Sequence, residues 1–232
     1  MTQLEEALES LRNGKMIIVY DWDEREGEAD LMIAARNTKP STIETMRRDA
    51  GGLICLAVSG FDAERLGLPF MTDVLVRVGG IGAELSCKRT AYGDKPAFSL
   101  AINHKKVFTG ITDNDRSLTI TKFDELIRST RDRPKPKTQN LLTQNFYSPG
   151  HVFLLISRGI ENRKGHTELS IELARRAGLD GGMVMCEMLG NGKRGGGKAL
   201  VKKDVLAYAK KNGLDFVEGK EIFNFSSLRE RI

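Results

Sequence analysis

Between Asp21 and Asp30 the chain reads Asp-Trp-Asp-Glu-Arg-Glu-Gly-Glu-Ala-Asp, six carboxylates and one arginine in ten residues. Such a loop repels itself. Each like-charged pair at ~4 Å costs about 1 kcal/mol in water and several times that near a protein surface, so a bound cation would relieve the loop. Hard divalent cations take carboxylate oxygens, and Gly27 would let the backbone bend tightly around a ligand. Composition alone fits an ordinary solvated acidic turn equally well, and EF-hand spacing is absent. With only Arg25 to offset the charge, the stretch from Asp23 to Asp30 is expected to be mobile until metal and substrate arrive together.

A second chemical signal is Arg163-Lys-Gly-His-Thr-Glu168, placed where a strand hands over to a helix. Free N–H groups at a helix start, the hydroxyl of Thr167 and the fork of Arg163 make a site for phosphate or carboxylate, with His166 beside it. Taken alone, a plain helix cap with a surface histidine explains the run better. A third cluster, Thr109-Gly-Ile-Thr-Asp-Asn-Asp-Arg-Ser117, also precedes a helical stripe and offers hydroxyls and amides to an anion. His104 has no partner motif and is expected at the surface.

These segments need elements to hold them. Leu4, Ala7, Leu8 and Leu11 form a helical stripe ended by Gly14, and Met16 to Tyr20 is a short apolar run suited to a buried strand. Leu31 to Ala35 and Leu53 to Val58 read as further strands, separated by a helix opening at Ser41 with Glu44 at capping-box spacing. Val152 to Ser157 and Met183 to Met188 repeat the strand pattern around a helix from about Thr167 to Ala177, closed by Gly178. Arg131 to Asn140, with two prolines and four cations, reads as an exposed connector. The expected architecture is mixed α/β (α+β): one mixed, twisted sheet covered by helices in three layers.

Bulk properties narrow the class. The chain has 232 residues, 40% of them hydrophobic and 29% charged, enough for one large domain or two small ones, and one domain spanning residues 1–232 is the default expectation. No stretch approaches the ~18 to 20 apolar residues of a membrane span, and Met1 to Leu11 reads as an acidic amphipathic helix rather than a signal peptide, so a cytoplasmic location is expected. Cys55, Cys87 and Cys186 form no CxxC and suit a reducing compartment. The net charge of +5 invites nucleic acid, through basic clusters at Arg128 to Lys137 and Lys193 to Lys203. Neither cluster carries aromatic stacking platforms, and the acidic loop would repel a phosphate backbone, so solvated faces explain them better.

Taken in order, Arg25-Glu-Gly-Glu-Ala-Asp30, Thr109-Gly-Ile-Thr112 with Asp115-Arg116, Ser148-Pro-Gly-His151 and Arg163-Lys-Gly-His-Thr-Glu168 resemble the 3,4-dihydroxy-2-butanone 4-phosphate synthases of riboflavin biosynthesis. The resemblance spans roughly Asp21 to Glu187. It implies a homodimeric lyase with sites at the subunit interface, which uses Mg²⁺ or Mn²⁺ to convert D-ribulose 5-phosphate into formate and L-3,4-dihydroxy-2-butanone 4-phosphate. Carried over by position, Glu26 and His166 match metal ligands. Arg25, Glu26, Asp30, Thr112, Arg163, Lys164, Gly165, His166, Thr167 and Glu187 match substrate-binding positions, and His151, Glu187, Glu28 and Asp30 are the acid–base candidates. Cys55 matches a cysteine near the site in archaeal members, although a small buried strand residue describes it as well. Lys164 stands where many members have glycine, and Thr112-Asp113 where bacterial members tend to have Ser-Ala, which points to the archaeal-like branch. Another metal-dependent sugar-phosphate isomerase or aldolase would share this logic.

The chemistry gives these residue types a reason. A proton must leave the carbon beside the ketone, a metal stabilises the negative charge that follows, and positioned acids and bases typically contribute ~10²- to 10⁴-fold each. Several carboxylates this close titrate as a coupled set, so the sequence does not assign each proton. A histidine ligand suits Mn²⁺ better than Mg²⁺.

Overall fold

Successive residues of a strand point to opposite faces, and in this chain both faces are apolar. Ile18 and Tyr20, Leu31 and Ile33, and Leu56 and Val58 join one buried cluster. Ile17 and Val19, Met32 and Ala34, and Cys55 and Ala57 join another. A sheet apolar on both sides must be covered on both sides. The computed structural model, which describes residues 2–190 and 196–223, has that arrangement.

The sheet is built from β1 (Ile17–Tyr20), β2 (Ala29–Ala34), β3 (Cys55–Val58), β4 (Phe98–His104), β5 (Phe146–Ile156), β6 (Met183–Glu187) and β7 (Asp215–Glu218), in the order β4-β5-β3-β6-β2-β1-β7. Pairs β1·β7 and β3·β5 are parallel, and the other neighbours are antiparallel. Around it lie α1 (Gln3–Arg12), α2 (Pro40–Asp49), α3 (Gly60–Leu66), α4 (Met71–Val78), α5 (Gly80–Leu85), α6 (Asp113–Thr130), α7 (Lys135–Asn145), α8 (His166–Ala177) and α9 (Lys202–Asn212). Side chains of α2, α3, α6 and α9 enter the first apolar cluster, and those of α1 and α8 enter the second. The mixed sheet between helical layers is the expected architecture. Among the described residues no helix is long and apolar enough to cross a membrane. Within the second basic cluster, Lys193 and Arg194 lie outside the described residues.

Three local expectations are corrected. The stretch Arg131 to Asn140 is a connector only as far as Pro134, after which α7 begins. Pro134 caps that helix and Pro136 sits in its first turn, where a missing N–H costs little because first-turn N–H groups have no acceptor within the helix. Helix α2 starts at Pro40, and the side-chain bond at its start runs from the Lys39 N–H to the Thr42 hydroxyl at 3.1 Å rather than involving Ser41. His104 is buried at the end of β4 instead of exposed: its ring meets Phe146 edge-on at 5.0 Å, and burial lowers its pKa. Phe146, the partner of His104 in the β4–β5 pair, supplies an apolar contact that a lone histidine in the sequence does not announce.

Candidate active site

Strand β1 ends at Tyr20 and the chain returns as β2 at Ala29, so the acidic run forms the connection of an antiparallel pair. Asp21, fully buried, organises it. One of its oxygens accepts the Glu28 N–H at 3.0 Å, and the other accepts the Glu26 N–H at 3.2 Å and the Arg25 guanidinium at 3.1 Å. The Arg25 and Gly27 N–H groups bond the Trp22 carbonyl at 3.0 and 3.1 Å, and Gly27 has a positive φ of 66° that a side chain would resist. The Tyr20 hydroxyl donates to Asp23 at 2.5 Å. These local bonds tie the loop from within.

Helix α8 delivers the second motif to this loop. His166, its first residue, is buried with Nδ1 at 3.3 Å from Glu26 and Nε2 at 3.2 Å from the Glu28 carbonyl and 3.7 Å from Asp30. Arg163 is buried just before the helix and pairs through one terminal nitrogen with buried Glu168 at 2.5 Å. Glu168 also accepts the N–H groups of Gly165 and Arg158 at 3.3 and 3.0 Å, which fixes the turn. A Cβ at Gly165 would fall on the Arg163 guanidinium, so glycine is needed for this close approach. Thr167 is buried in the first turn.

Asp30 and Glu187 sit opposite each other on β2 and β6. Strand alternation puts both on the face covered by α8, the face that also carries Cys55. Burial raises the pKa of Asp30 to about 7, the charges of Glu187, Glu26 and Glu28 adding to burial while His166 opposes it. Burial likewise raises Glu187, and it raises Glu28 with help from the Glu26 charge. For Glu26, burial is outweighed by hydrogen bonds from His166 and Tyr92 and by the Arg25 charge, which hold it down at about 2. For His166, burial would lower the pKa, yet the charges of Asp30, Asp21 and Glu26 and the Glu26 hydrogen bond raise it to about 9. Cys55 is buried on this face, and burial together with the Glu187 and Asp30 charges pushes its thiol up.

The donor set fits a divalent cation. Asp21, Glu26 and His166 each offer a ligand atom, and these lie within 4.8 Å of one another. Asp30 Oδ1 is buried without a hydrogen-bond partner beside them. Carboxylate oxygens with one imidazole suit Mg²⁺ or Mn²⁺.

The structure thus brings Arg25, Glu26, Glu28, Asp30, Glu187, Arg163, Gly165, His166 and Thr167 into one region. Lys164 is exposed, its ammonium lying 4.0 Å from the Phe223 ring and 5.9 Å from that of Trp22. His151 is apart: β3 separates its strand from β6, about 10 Å for two strand spacings. Its side chain and N–H meet Asn103 at 3.1 and 2.9 Å. Thr112 caps α6, in the opposite helical layer, by accepting the Asp115 N–H at 3.1 Å. Among the described residues no hydrogen bond or ion pair joins either one to the Glu26–His166 set.

Four residues that the sequence reading did not single out complete the region: Asp21, Glu168, Tyr92 and Asp94. The first two lie within the two motifs and are betrayed only by burial. Tyr92 and Asp94 come from a turn remote in sequence, where the Arg25 guanidinium lies 4.4 Å from the Tyr92 ring centre and 3.0 Å from Asp94. A lone tyrosine and aspartate around Gly93 give no sequence signal.

Comparison with known proteins identifies a similar set. A family model described as 3,4-dihydroxy-2-butanone 4-phosphate synthase matches residues 5–225. The chain is 42% identical over 224 residues to the 3,4-dihydroxy-2-butanone 4-phosphate synthase of Methanothermobacter thermautotrophicus, covering 94% of this chain and 93% of that one. It is 43% identical over 223 residues to the protein of that name from Methanosarcina mazei, covering 93% and 87%. A crystal structure of 3,4-dihydroxy-2-butanone 4-phosphate synthase in complex with two magnesium ions superposes with a TM-score of 0.76 at 25% identity, covering 99% of each chain.

Proposed function

The chain belongs to the 3,4-dihydroxy-2-butanone 4-phosphate synthase family, and from that premise we propose how its own residues carry the reaction: conversion of D-ribulose 5-phosphate to L-3,4-dihydroxy-2-butanone 4-phosphate and formate, a carbon–carbon lyase step of riboflavin biosynthesis. The observation that carries the assignment of roles is the buried, unpartnered oxygen of Asp30, 3.7 Å from His166 and on the strand row of Glu187.

Glu26 and His166, joined by Asp21, are the residues that would hold the cation. A divalent cation such as Mg²⁺ or Mn²⁺ held there would supply Lewis-acid stabilisation of the negative charge that develops beside the ketone. Arg163, Thr167 and the free N–H groups at the start of α8 would take the phosphate, because unpaired donors and the helix dipole converge there. That fixes the sugar with its ketone end toward the acidic loop. Asp30, raised to about 7 by burial, is matched to accepting a proton from the carbon beside the ketone near neutral pH. Glu187 and Glu28, also raised, would return or relay that proton during the rearrangement in which C4 leaves as formate. Arg25 is engaged by Asp21, Glu26 and Asp94 and would shape the loop rather than bind substrate alone.

A homodimer with shared sites belongs to this reading. His151 and Thr112 are remote from the cation residues within one chain, so a second copy would be the source of both. Phe108 and Ile111, beside Thr112, are 96% and 51% exposed, and neither α4 nor α5 buries a residue. Apolar surface of that kind marks an interface. The single sheet shared by the described elements supports one catalytic domain, and the three unpaired cysteines suit a cytoplasmic location.

The test is product analysis. Purified protein with ribulose 5-phosphate should release one formate per butanone phosphate when Mg²⁺ is supplied and none after chelation. Glu26→Gln should be inactive with an unchanged circular-dichroism spectrum. Metal-independent formate release, or a folded Glu26→Gln variant at full rate, would remove the assignment.

A further inference from the structure

The turn from Thr90 to Asp94 reaches across to the two arginines of the site. A single oxygen of Asp94 accepts from Arg25 Nε and Nη2 at 3.2 and 3.0 Å and lies 3.5 Å from Arg163 Nε. Arg163 is 8% exposed in its side chain, and this Nε is buried without a hydrogen-bond partner. Its other end is committed to Glu168. The free donor of Arg163 therefore lies beside a carboxylate that does not satisfy it. A buried guanidinium N–H left in that state carries the cost of desolvation and is a vacant position for an oxygen of a ligand.

Resting on the function proposed above, we propose that Asp94 is an internal competitor for the substrate's phosphate, and that it sets substrate affinity by occupying the anion side of Arg163 until the phosphate displaces it. The arrangement suits displacement. Asp94 is 28% exposed on its side-chain surface, so its carboxylate can swing into water at little cost. The turn itself is held by backbone bonds, from the Thr90 N–H to the Asp94 carbonyl at 2.8 Å and from the Gly93 N–H to the Thr90 carbonyl at 2.9 Å, so it survives when the side chain leaves. Arg25 keeps Asp21 and Glu26 as partners after the exchange. Stacking of Arg25 on Tyr92 gives the turn a second attachment, which would return Asp94 to the arginines when product leaves. A phosphate dianion and the Asp94 carboxylate cannot share one guanidinium edge without a repulsion of several-fold in affinity. An unphosphorylated sugar, lacking the dianion, would not displace the carboxylate.

The experiment measures inorganic phosphate binding by calorimetry, and the KM for ribulose 5-phosphate, in the wild-type protein, Asp94→Asn and Asp94→Ala. Both variants keep the backbone bonds of the turn, so both are expected to fold. The proposal requires phosphate to bind about five- to tenfold more tightly in each variant, and KM to fall by a similar factor. Unchanged or weaker phosphate binding in both variants overturns it and makes Asp94 a support for Arg163. That result would leave the lyase function standing, whereas a wild-type protein that makes no formate would defeat the function whatever the phosphate affinities.

Discussion

Asp30 and Glu187 face each other across the β2–β6 pair, two carboxyl groups in register on the buried face that carries His166. Like charges directly opposite in a sheet are destabilising, so the pair favours holding a proton. The same pairing that costs stability gives the site a proton acceptor near neutral pH.

Asp30 has its pKa raised from 3.8 to about 7, chiefly by burial, so the folded state binds this proton more tightly than the unfolded chain. Its contribution is fully present below the unfolded value and is lost as pH rises through about 7. Without metal, the wild-type melting temperature should fall relative to Asp30→Asn between about pH 5 and about pH 8, while Asp30→Asn loses ~10²-fold or more in formate release. Parallel melting curves at every pH would show that Asp30 is not held protonated.

Cation binding should release a proton. His166 is raised to about 9 because surrounding carboxylates overcome its burial, and a ligand imidazole must be neutral. The His166 contribution to stability is thus full below about 6.5 and lost as pH climbs through about 9. Mg²⁺ affinity should rise over the same window. Calorimetry in buffers of different ionisation enthalpy should find a net proton release near pH 7 that is smaller in His166→Ala.

The Arg163 fork is tested by a smaller change. Arg163→Lys keeps the cation but cannot serve Glu168 and the phosphate together. KM should rise at least about tenfold for ribulose 5-phosphate and much less for ribulose. Equal losses for the two sugars would mean that Arg163 only supports the turn.

Much of this was legible from residue order. The two chemical motifs are contiguous runs, and the strands that carry them alternate between apolar faces, so both site segments and the layered sheet follow from local pattern. Asp94 and Tyr92 do not. They meet Arg25 only because the sheet folds a distant turn back over the loop, a non-local contact that composition cannot encode. His104 misled for the same reason, since its burial depends on Phe146 in β5. The charge count of the acidic loop does not reveal that Asp21 turns inward and accepts the Glu26 and Glu28 N–H groups.

Mixing inactive variants tests the shared sites. Glu26→Gln removes a cation residue and His151→Ala removes a residue remote from it, so random mixed dimers would contain one intact site in half of the population. Activity should return to about a quarter of wild type. A mixture that stays inactive would place both residues in the same chain's site.

In the proposed assignment the Glu26–His166 set drives loss of C4 as formate. Ribulose 5-phosphate labelled with carbon-13 at C4, followed by NMR in Mg²⁺, should deliver its label to formate in step with butanone phosphate formation, and His166→Ala should leave the label in the sugar. Label retained in a rearranged sugar phosphate, or passed to formate at the wild-type rate by folded His166→Ala, would contradict the account.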